Sequence, residues 1–381
     1  MIKVVLNATL LEENLTGIGQ YQWNVLEQLA SKEYVNMKVV LNKNFVESSK
    51  GKELINIIKA NNSTNEYIVS PKSKSLYRGL SLLGFYQHRD YIYHDLSFNS
   101  AVGKKSKAKI VTFHDAFFLD RNLWATSKGM AAFNAKYILP WSAKNADHIL
   151  VQTQVVNELL NNGLSLKPNK TTVIPMGNPR GTDIKELNTK LPKDKLIIKN
   201  ILIDKPFILC VGAGHKRKRT ADVIKASSLI KEDHLIIITG KDALQEPFLK
   251  ESIENTNNIL VLDYVTNDEL EKLYQNARAL FFPSEEEGFG FPIIEALSYK
   301  LPVYASKLDV FKEVGSYFVK YFEIGDIKRI ANYLEEALSD EVIVHDTEEL
   351  SKWLRQFSWE KYGERLCDVY KMVVENNGQV R

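Results

Sequence analysis

The sequence predicts an α/β protein made of two doubly wound domains that face a central cleft, and three observations carry the prediction. Short β-branched, apolar runs alternate with longer amphipathic stretches, which is the pattern of parallel strands joined by crossover helices. The alternation stops near residue 175 and starts again near 207. Between them, 175–206 holds four prolines among Lys, Asn and Asp residues, the composition of a linker. The expected boundaries are 1–180 for the first domain and 181–359 for the second.

Bulk properties agree with that division. A chain of 381 residues exceeds one ordinary core and suits two. With 44% hydrophobic and 25% charged residues it reads as globular and not as disordered. The net charge of +3 gives no argument for nucleic acid. Lys104, Lys105, Lys107 and Lys109 form one local basic run and Lys216 to Arg219 another, either of which can be a solvated face. The two cysteines, Cys210 and Cys367, are far apart and suggest neither a disulfide framework nor a metal site, so a reducing cytoplasm is the expected compartment. Met1-Ile-Lys-Val-Val-Leu6 reads as a strand, so no signal peptide is expected there. No apolar run approaches the ~20 residues that span a bilayer, so membrane contact is expected to be peripheral.

In the first domain the strands are read at 3–6, 39–41, 110–113, 148–151 and 172–174, with helices at 21–29 and 134–143. In open parallel sheets ligands lie beyond the strand C-termini, so the loops there draw attention. The first carries Thr16-Gly17-Ile18-Gly19-Gln20-Tyr21 before a helix, where two glycines let backbone approach a phosphate or sugar. No third glycine follows, so this is not a dinucleotide fingerprint, and a simple turn explains it equally well. His114-Asp115 follows the strand at 110–113. Such a histidine can bind a substrate hydroxyl or act as a structural cap.

In the second domain the strands fall at 207–211, 234–239, 259–262, 279–282 and 303–305, with helices at 221–230 and 268–276. Gly212-Ala213-Gly214-His215-Lys216-Arg217-Lys218-Arg219 follows the first of these strands. Four cations beside two glycines would make a diphosphate clamp, and a solvated turn is the alternative. After 279–282 the chain reads Pro283-Ser-Glu-Glu-Glu287-Gly288-Phe-Gly290-Phe291-Pro292-Ile293-Ile294-Glu295. This is a strand, a glycine loop and a helix, with one carboxylate in the loop and one in the helix, and helix-start amides suit an anion. A sugar nucleotide has phosphates for the amides and hydroxyls for the acids. A surface loop with solvated acids is the alternative reading.

Taken together, these segments resemble the family 4 (GT4) glycosyltransferases, which are retaining, nucleotide-sugar-dependent enzymes of the GT-B fold. The resemblance runs nearly end to end and implies a last helix, about 360–381, that crosses back to the first domain. It rests on Thr16-Gly-Ile-Gly-Gln-Tyr21, Val111-Thr-Phe-His-Asp115, Ala146-Asp-His-Ile-Leu-Val-Gln-Thr153, Val173-Ile-Pro-Met-Gly177, Val211-Gly212 with Arg217-Lys218, Asp263 to Leu270, Leu273 to Ala279 and Phe357-Ser-Trp-Glu360. Its most specific element is the E-x7-E pair, Glu287 and Glu295.

The resemblance implies that Arg217 and Lys218 hold the donor diphosphate, that Glu287 contacts the transferred sugar and that Glu295 binds the ribose. It further implies that amides around Phe291, Ile293 and Ile294, beside Gly290 and Gly212, meet sugar and phosphate, and that backbone at Val265 reads the base. Gly17 and Gly19 would close over the phosphate, and His114 would touch the donor sugar. The reaction it implies is a same-face displacement in which the leaving phosphate helps to deprotonate the acceptor. No Asp-x-Asp metal motif is present, so no metal or other cofactor is expected beyond the nucleotide-diphosphate sugar. Ala213, Lys216, Arg219 and Lys300 depart from the family pattern. Lys300 stands where a helix-ending glycine is usual, and a lysine tolerates a left-handed cap poorly, so a different helix end is expected.

The acceptor is expected on the first domain. Residues 72–89 mix Leu76, Tyr77, Leu80, Leu83 and Phe85 with basic residues, either a packed helix with snorkelling cations or a surface for anionic lipid. The second reading implies a lipid-linked saccharide acceptor at the inner face of the membrane, in surface polysaccharide synthesis. The resemblance favours a hexose or deoxyhexose donor of the mannose type. The rivals are a sugar-nucleotide epimerase or phosphorylase on the same fold and a non-catalytic sugar-nucleotide-binding protein. A retaining glycosidase is disfavoured because nothing sets the two acids about 5 Å apart across one sugar.

Overall fold

The computed structural model describes residues 1–381 except 99–102, 104, 121–128, 186–195, 213–214, 242, 254–255, 257, 340–345 and 380–381. Lys104, Ala213 and Gly214 lie outside the described residues, as does the side chain of Tyr77. The chain forms two units, Met1–Gly177 with Phe357–Arg381 and Asn178–Gln356.

The first unit is built on a parallel sheet of β1 (Ile2–Asn7), β2 (Val35–Asn42), β3 (Glu66–Ser70), β4 (Ile92–Asp95), β5 (Ala108–Thr112), β6 (His148–Val151) and β7 (Thr171–Val173), in the order β3-β2-β1-β4-β5-β6-β7. Periodicity missed β3 and β4. β3 is an edge strand with little burial, and β4 ends on His94 and Asp95, which are fully buried. Their burial is offset by hydrogen bonds. His94 Nδ1 lies 2.7 Å from the Tyr370 hydroxyl and Nε2 2.9 Å from Thr112 Oγ1, while Asp95 accepts from the Ser97 amide at 2.8 Å. The helix expected at 134–143 is interrupted by a π turn at Asn134–Ile138 just before Pro140, whose missing N–H and ring bulk disturb the α-helical ladder.

The last helix, Trp359–Gln379, packs on the first unit. Tyr362 and Tyr21 meet hydroxyl to hydroxyl at 2.8 Å. Gly177 accommodates Trp359: a Cβ on that glycine would come within 2.3 Å of the indole.

The second unit has a hairpin, β8 (Leu196–Ile198) and β9 (Ile201–Ile203), and a parallel sheet of β10 (Phe207–Val211), β11 (Leu235–Thr239), β12 (Ile259–Asp263), β13 (Ala279–Phe282), β14 (Val303–Ser306) and β15 (Val319–Phe322). The sheet order is β12-β11-β10-β13-β14-β15. The linker expected at 175–206 is therefore corrected. Its end is a hairpin turning through Lys199 and Asn200, both at positive φ as a tight two-residue turn requires. Its start packs on the helix Phe291–Ser298, as described below.

Candidate functional site at the switch point of the second sheet

β10 and β13 are neighbours although far apart in sequence, with Ile208 opposite Ala279. Strands β11 and β12 extend from one side of this pair and β14 and β15 from the other, so the winding reverses there. A crevice opens at such a switch point, and the loops leaving β10 and β13 border it. These are the two loops the sequence singled out. The Glu285 amide donates to the Arg217 carbonyl at 2.9 Å and joins them.

The cations of the first loop have different partners. His215 Nδ1 accepts from the Arg217 amide at 3.2 Å and starts a 3-10 turn, Lys216–Lys218, that directs Arg217 and Lys218 to Glu287. Lys218 Nζ donates to Glu287 Oε1, and Arg217 Nη1 lies 3.3 Å from the same oxygen. Ser284 Oγ donates to that oxygen at 3.2 Å, and Arg217 Nη1 also donates to the Glu286 carbonyl at 2.7 Å. Arg219, in left-handed backbone at φ +50°, pairs instead with Asp222 at 2.7 Å and Glu285 at 3.2 Å, while Lys216 is exposed. Of the four cations, two thus meet on Glu287, while Arg219 is held by Asp222 and Glu285.

Lys218 is held among low-dielectric surroundings. Its side chain is 15% exposed, its ammonium lies 5.0 Å from the centre of the Phe282 ring, and a Cβ on Gly212, at φ +79°, would sit 3.7 Å from Nζ. Burial pushes the Lys218 ammonium below the usual lysine range, and Glu287 opposes that shift. Two cations on one carboxylate form a site that a diphosphate can enter by taking over the positive charges.

Gly290, at φ +101°, turns the chain into the helix Phe291–Ser298. The helix start offers fewer amides than expected. Pro292 has no N–H, and the Ile293 amide donates to the Gly290 carbonyl at 3.0 Å. The side chains of Ile293 and Ile294 are fully buried core. The other end of the helix corrects a second expectation. Lys300 takes the left-handed position at φ +55°, with its amide on the Leu297 carbonyl at 3.0 Å and the Leu301 amide on Ala296 at 3.1 Å. That is a Schellman ending with lysine in the glycine position.

Glu295 points into a cluster that sequence reasoning missed. Its Oε2 accepts the Tyr274 hydroxyl at 2.8 Å, and its Oε1 lies 3.6 Å from Arg180 Nε. Burial, reinforced by Glu295, raises Tyr274 well above the usual tyrosine range, so it remains a donor. Tyr274 lies within the quoted segment Leu273–Ala279 and Arg180 three residues after Gly177, but neither has a spacing that marks it. Val265 is buried just before the helix Asn267–Asn276, next to its N-cap Thr266.

The remaining predicted residues belong to the first unit. Gly17 begins the helix Gly17–Ala30 with open space where a Cβ would be, and at Gly19 a Cβ would meet Leu15 Cδ2 at 3.3 Å. His114 is buried, with Nε2 2.9 Å from the Leu96 carbonyl. Burial lowers the imidazole to about 4, so it is neutral at pH 7, with the proton on Nε2 and an acceptor at Nδ1. The C-terminal ends of β1 and β2 border a cavity of about 280 Å³, lined by Thr9, Leu10, Glu12, Asn44, Ser48 and Lys72 among others. In the segment 72–89, Ser81 bonds Asn7 at 2.8 Å and Tyr93 at 2.7 Å, and Leu80 packs on Val5, Val40, Tyr86 and Tyr93. Leu76, Leu83 and Phe85 are exposed. Both readings of this segment thus have a face in the structure.

Among the described residues, no group of three or more His, Cys, Asp and Glu could hold a metal ion. Among the same residues, no helix is long and apolar enough to cross a membrane.

Comparison with known proteins agrees with the sheet topology. The crystal structure of a glycosyltransferase from Rickettsia africae superposes with a TM-score of 0.65 at 16% identity, covering 98% of this chain and 99% of that one. Anabaena HepE in complex with UDP and glucose superposes at 0.66 and 13% identity, covering 98% and 100%. The fold is therefore that of the GT-B glycosyltransferases. More particularly, residues 193–357, with both carboxylates and both cations, match the family described as glycosyl transferases group 1. Among relatives, the O-antigen chain mannosyltransferase B of Escherichia coli is 22% identical over 98% of this chain and 100% of its own length. The serotype-specific mannosyltransferase WbdA of Escherichia coli is 29% identical over 59% of this chain, which spans only 29% of its length.

Proposed function

We propose that the protein is a retaining, GT4-type glycosyltransferase that moves a hexose or deoxyhexose of the mannose type from a nucleotide sugar to a saccharide in polysaccharide synthesis. The observation that carries this reading is the Arg217–Lys218–Glu287 cluster at the switch point of the second sheet. As the sugar–phosphate bond breaks, charge grows on the leaving diphosphate, and two preorganised cations stabilise it. Released from them, Glu287 accepts sugar hydroxyls. Glu295 accepts those of the ribose. Neutral His114 contributes an acceptor at Nδ1 for a sugar hydroxyl and not a proton to the leaving group. The reaction needs no metal, because cations do that work. The mannosyltransferase relatives support the sugar assignment.

In the first unit, the cavity beyond β1 and β2 mixes acids, amides, hydroxyls and leucine, a lining suited to a neutral saccharide, and this is the acceptor side we propose. The exposed Leu76, Leu83 and Phe85 would rest on the inner face of the cytoplasmic membrane, where a lipid-linked acceptor is presented. Thermal-shift screening against a panel of nucleotide sugars tests the donor, since a selective ligand stabilises by its affinity and concentration. Product analysis with a labelled sugar nucleotide follows. Acceptor-independent isomerisation, or phosphorolysis, would replace this reading with the epimerase or phosphorylase alternative.

A further inference from the structure

Residues 178–185 are fastened along the helix that carries Glu295. Asn178 Nδ2 donates to the Ile294 carbonyl at 3.0 Å, and the Lys185 amide donates to Ser298 at 2.7 Å. Lys185 Nζ reaches Glu271 at 3.1 Å and the Tyr299 hydroxyl at 3.2 Å. Arg180 lies between these two fastenings. Its side chain is 8% exposed and that of Glu295 is 9% exposed. Arg180 Nη1 donates to the Asn267 carbonyl at 3.2 Å, at the start of the helix that supplies Tyr274.

The two oxygens of Glu295 are thus in different situations. Oε2 holds the Tyr274 hydroxyl. Oε1 faces Arg180 Nε at 3.6 Å, an ion-pair distance too long for a hydrogen bond, and this buried Nε has no hydrogen-bond partner among the described residues. A buried N–H without a partner is costly, and a cation opposite one carboxylate oxygen opposes rotation of the carboxylate.

We infer that Arg180 is a positioning residue for donor recognition, which together with Tyr274 sets the plane of the Glu295 carboxylate so that it can accept the ribose hydroxyls of a nucleoside diphosphate. This rests on the reading of Glu295 as the ribose contact. Arg180 acts through Glu295 and does not touch the ligand. Its planar guanidinium, anchored at Nη1, holds Nε in a place that a flexible ammonium cannot reproduce.

The test measures binding of UDP and GDP, and of their 2′-deoxy counterparts, by calorimetry on the full chain. For whichever base binds, wild type should favour the ribonucleotide by about tenfold or more, the worth of a hydrogen bond to a charged group. Arg180→Met should reduce that preference to about threefold or less, and Arg180→Lys should fall between, with melting temperatures showing that each variant is folded. If Arg180→Met does not fold, Arg180→Lys decides. An unchanged preference in a folded Arg180 variant overturns the inference. Glu295→Gln separates the two levels. If it lowers the preference and the Arg180 variants do not, only the role of Arg180 is lost. If Glu295→Gln leaves it unchanged, the ribose assignment and the inference fail together.

Discussion

Replacing Lys218 by Met and Glu287 by Gln should have opposite consequences for stability and ligand binding while both abolish most of the transfer. In Lys218→Met the Glu287 carboxylate keeps Arg217 at 3.3 Å and Ser284 at 3.2 Å, so no charge is stranded. The lost ammonium was itself opposed by burial. A stability change below about 1 kcal/mol follows. In Glu287→Gln, Lys218 and Arg217 lose their shared counter-ion, with side chains 15% and 30% exposed. Stranding a fully buried charge costs about 3–5 kcal/mol, and this residual exposure reduces the cost to roughly 1–2 kcal/mol. The melting temperature should fall by about 2–8 °C. On the proposed reading a nucleoside diphosphate takes the two cations from Glu287, so Glu287→Gln should bind UDP or GDP at least as tightly as wild type. Lys218→Met should bind about tenfold more weakly or worse. Transfer should fall at least about tenfold in both, since removing one preorganised donor costs ~10²–10³ in turnover. Melting curves with and without UDP and GDP, and initial rates with the donor found in the panel, read all three quantities. Equal destabilisation by Lys218→Met and Glu287→Gln, or weaker diphosphate binding by Glu287→Gln than by wild type, would overturn the role of Glu287 as the shared counter-ion.

Lys300→Gly should stabilise the protein by about 0.5–1 kcal/mol, since glycine takes the left-handed position without strain; a lower melting temperature would contradict the Schellman assignment. Burial lowers His94 to about 3 and His114 and His148 to about 4, against about 6.5 when unfolded. The unfolded chain binds more protons in that window, so stability should hold above pH about 6.5 and fall progressively down to about 3. Thermal melts across this range check it, and a flat profile would count against neutral buried imidazoles. Transfer should persist in excess EDTA; complete loss, restored by a divalent cation, would overturn the metal-free mechanism.

Much of the architecture was legible because the periodic signals are strong. Val4, Val5 and Leu6 in β1 and Ile208 to Cys210 in β10 are buried strand residues in apolar runs, and their alternation with helices dictates parallel sheets. β3, β4 and β15 escaped, since Glu66, His94, Asp95 and Lys320 break the apolar pattern. Hydrogen bonds from sequence-distant residues, such as Tyr370 to His94, compensate these strands in a way a local window cannot register.

At the site, the order of residues along the chain sets which residue types stand where: the Glu287–Glu295 spacing, the Arg217-Lys218 pair and the glycines that admit close backbone turns. Their pairing comes from the folded arrangement. It placed β10 beside β13, brought two cations onto Glu287, turned Arg219 away and laid Arg180 and Tyr274 on Glu295. The physical reason is that chemistry and local propensity are carried by residues in order along the chain. The sharing of a counter-ion depends on distances of about 3 Å, set by strand order and side-chain direction and not encoded in any short stretch of sequence.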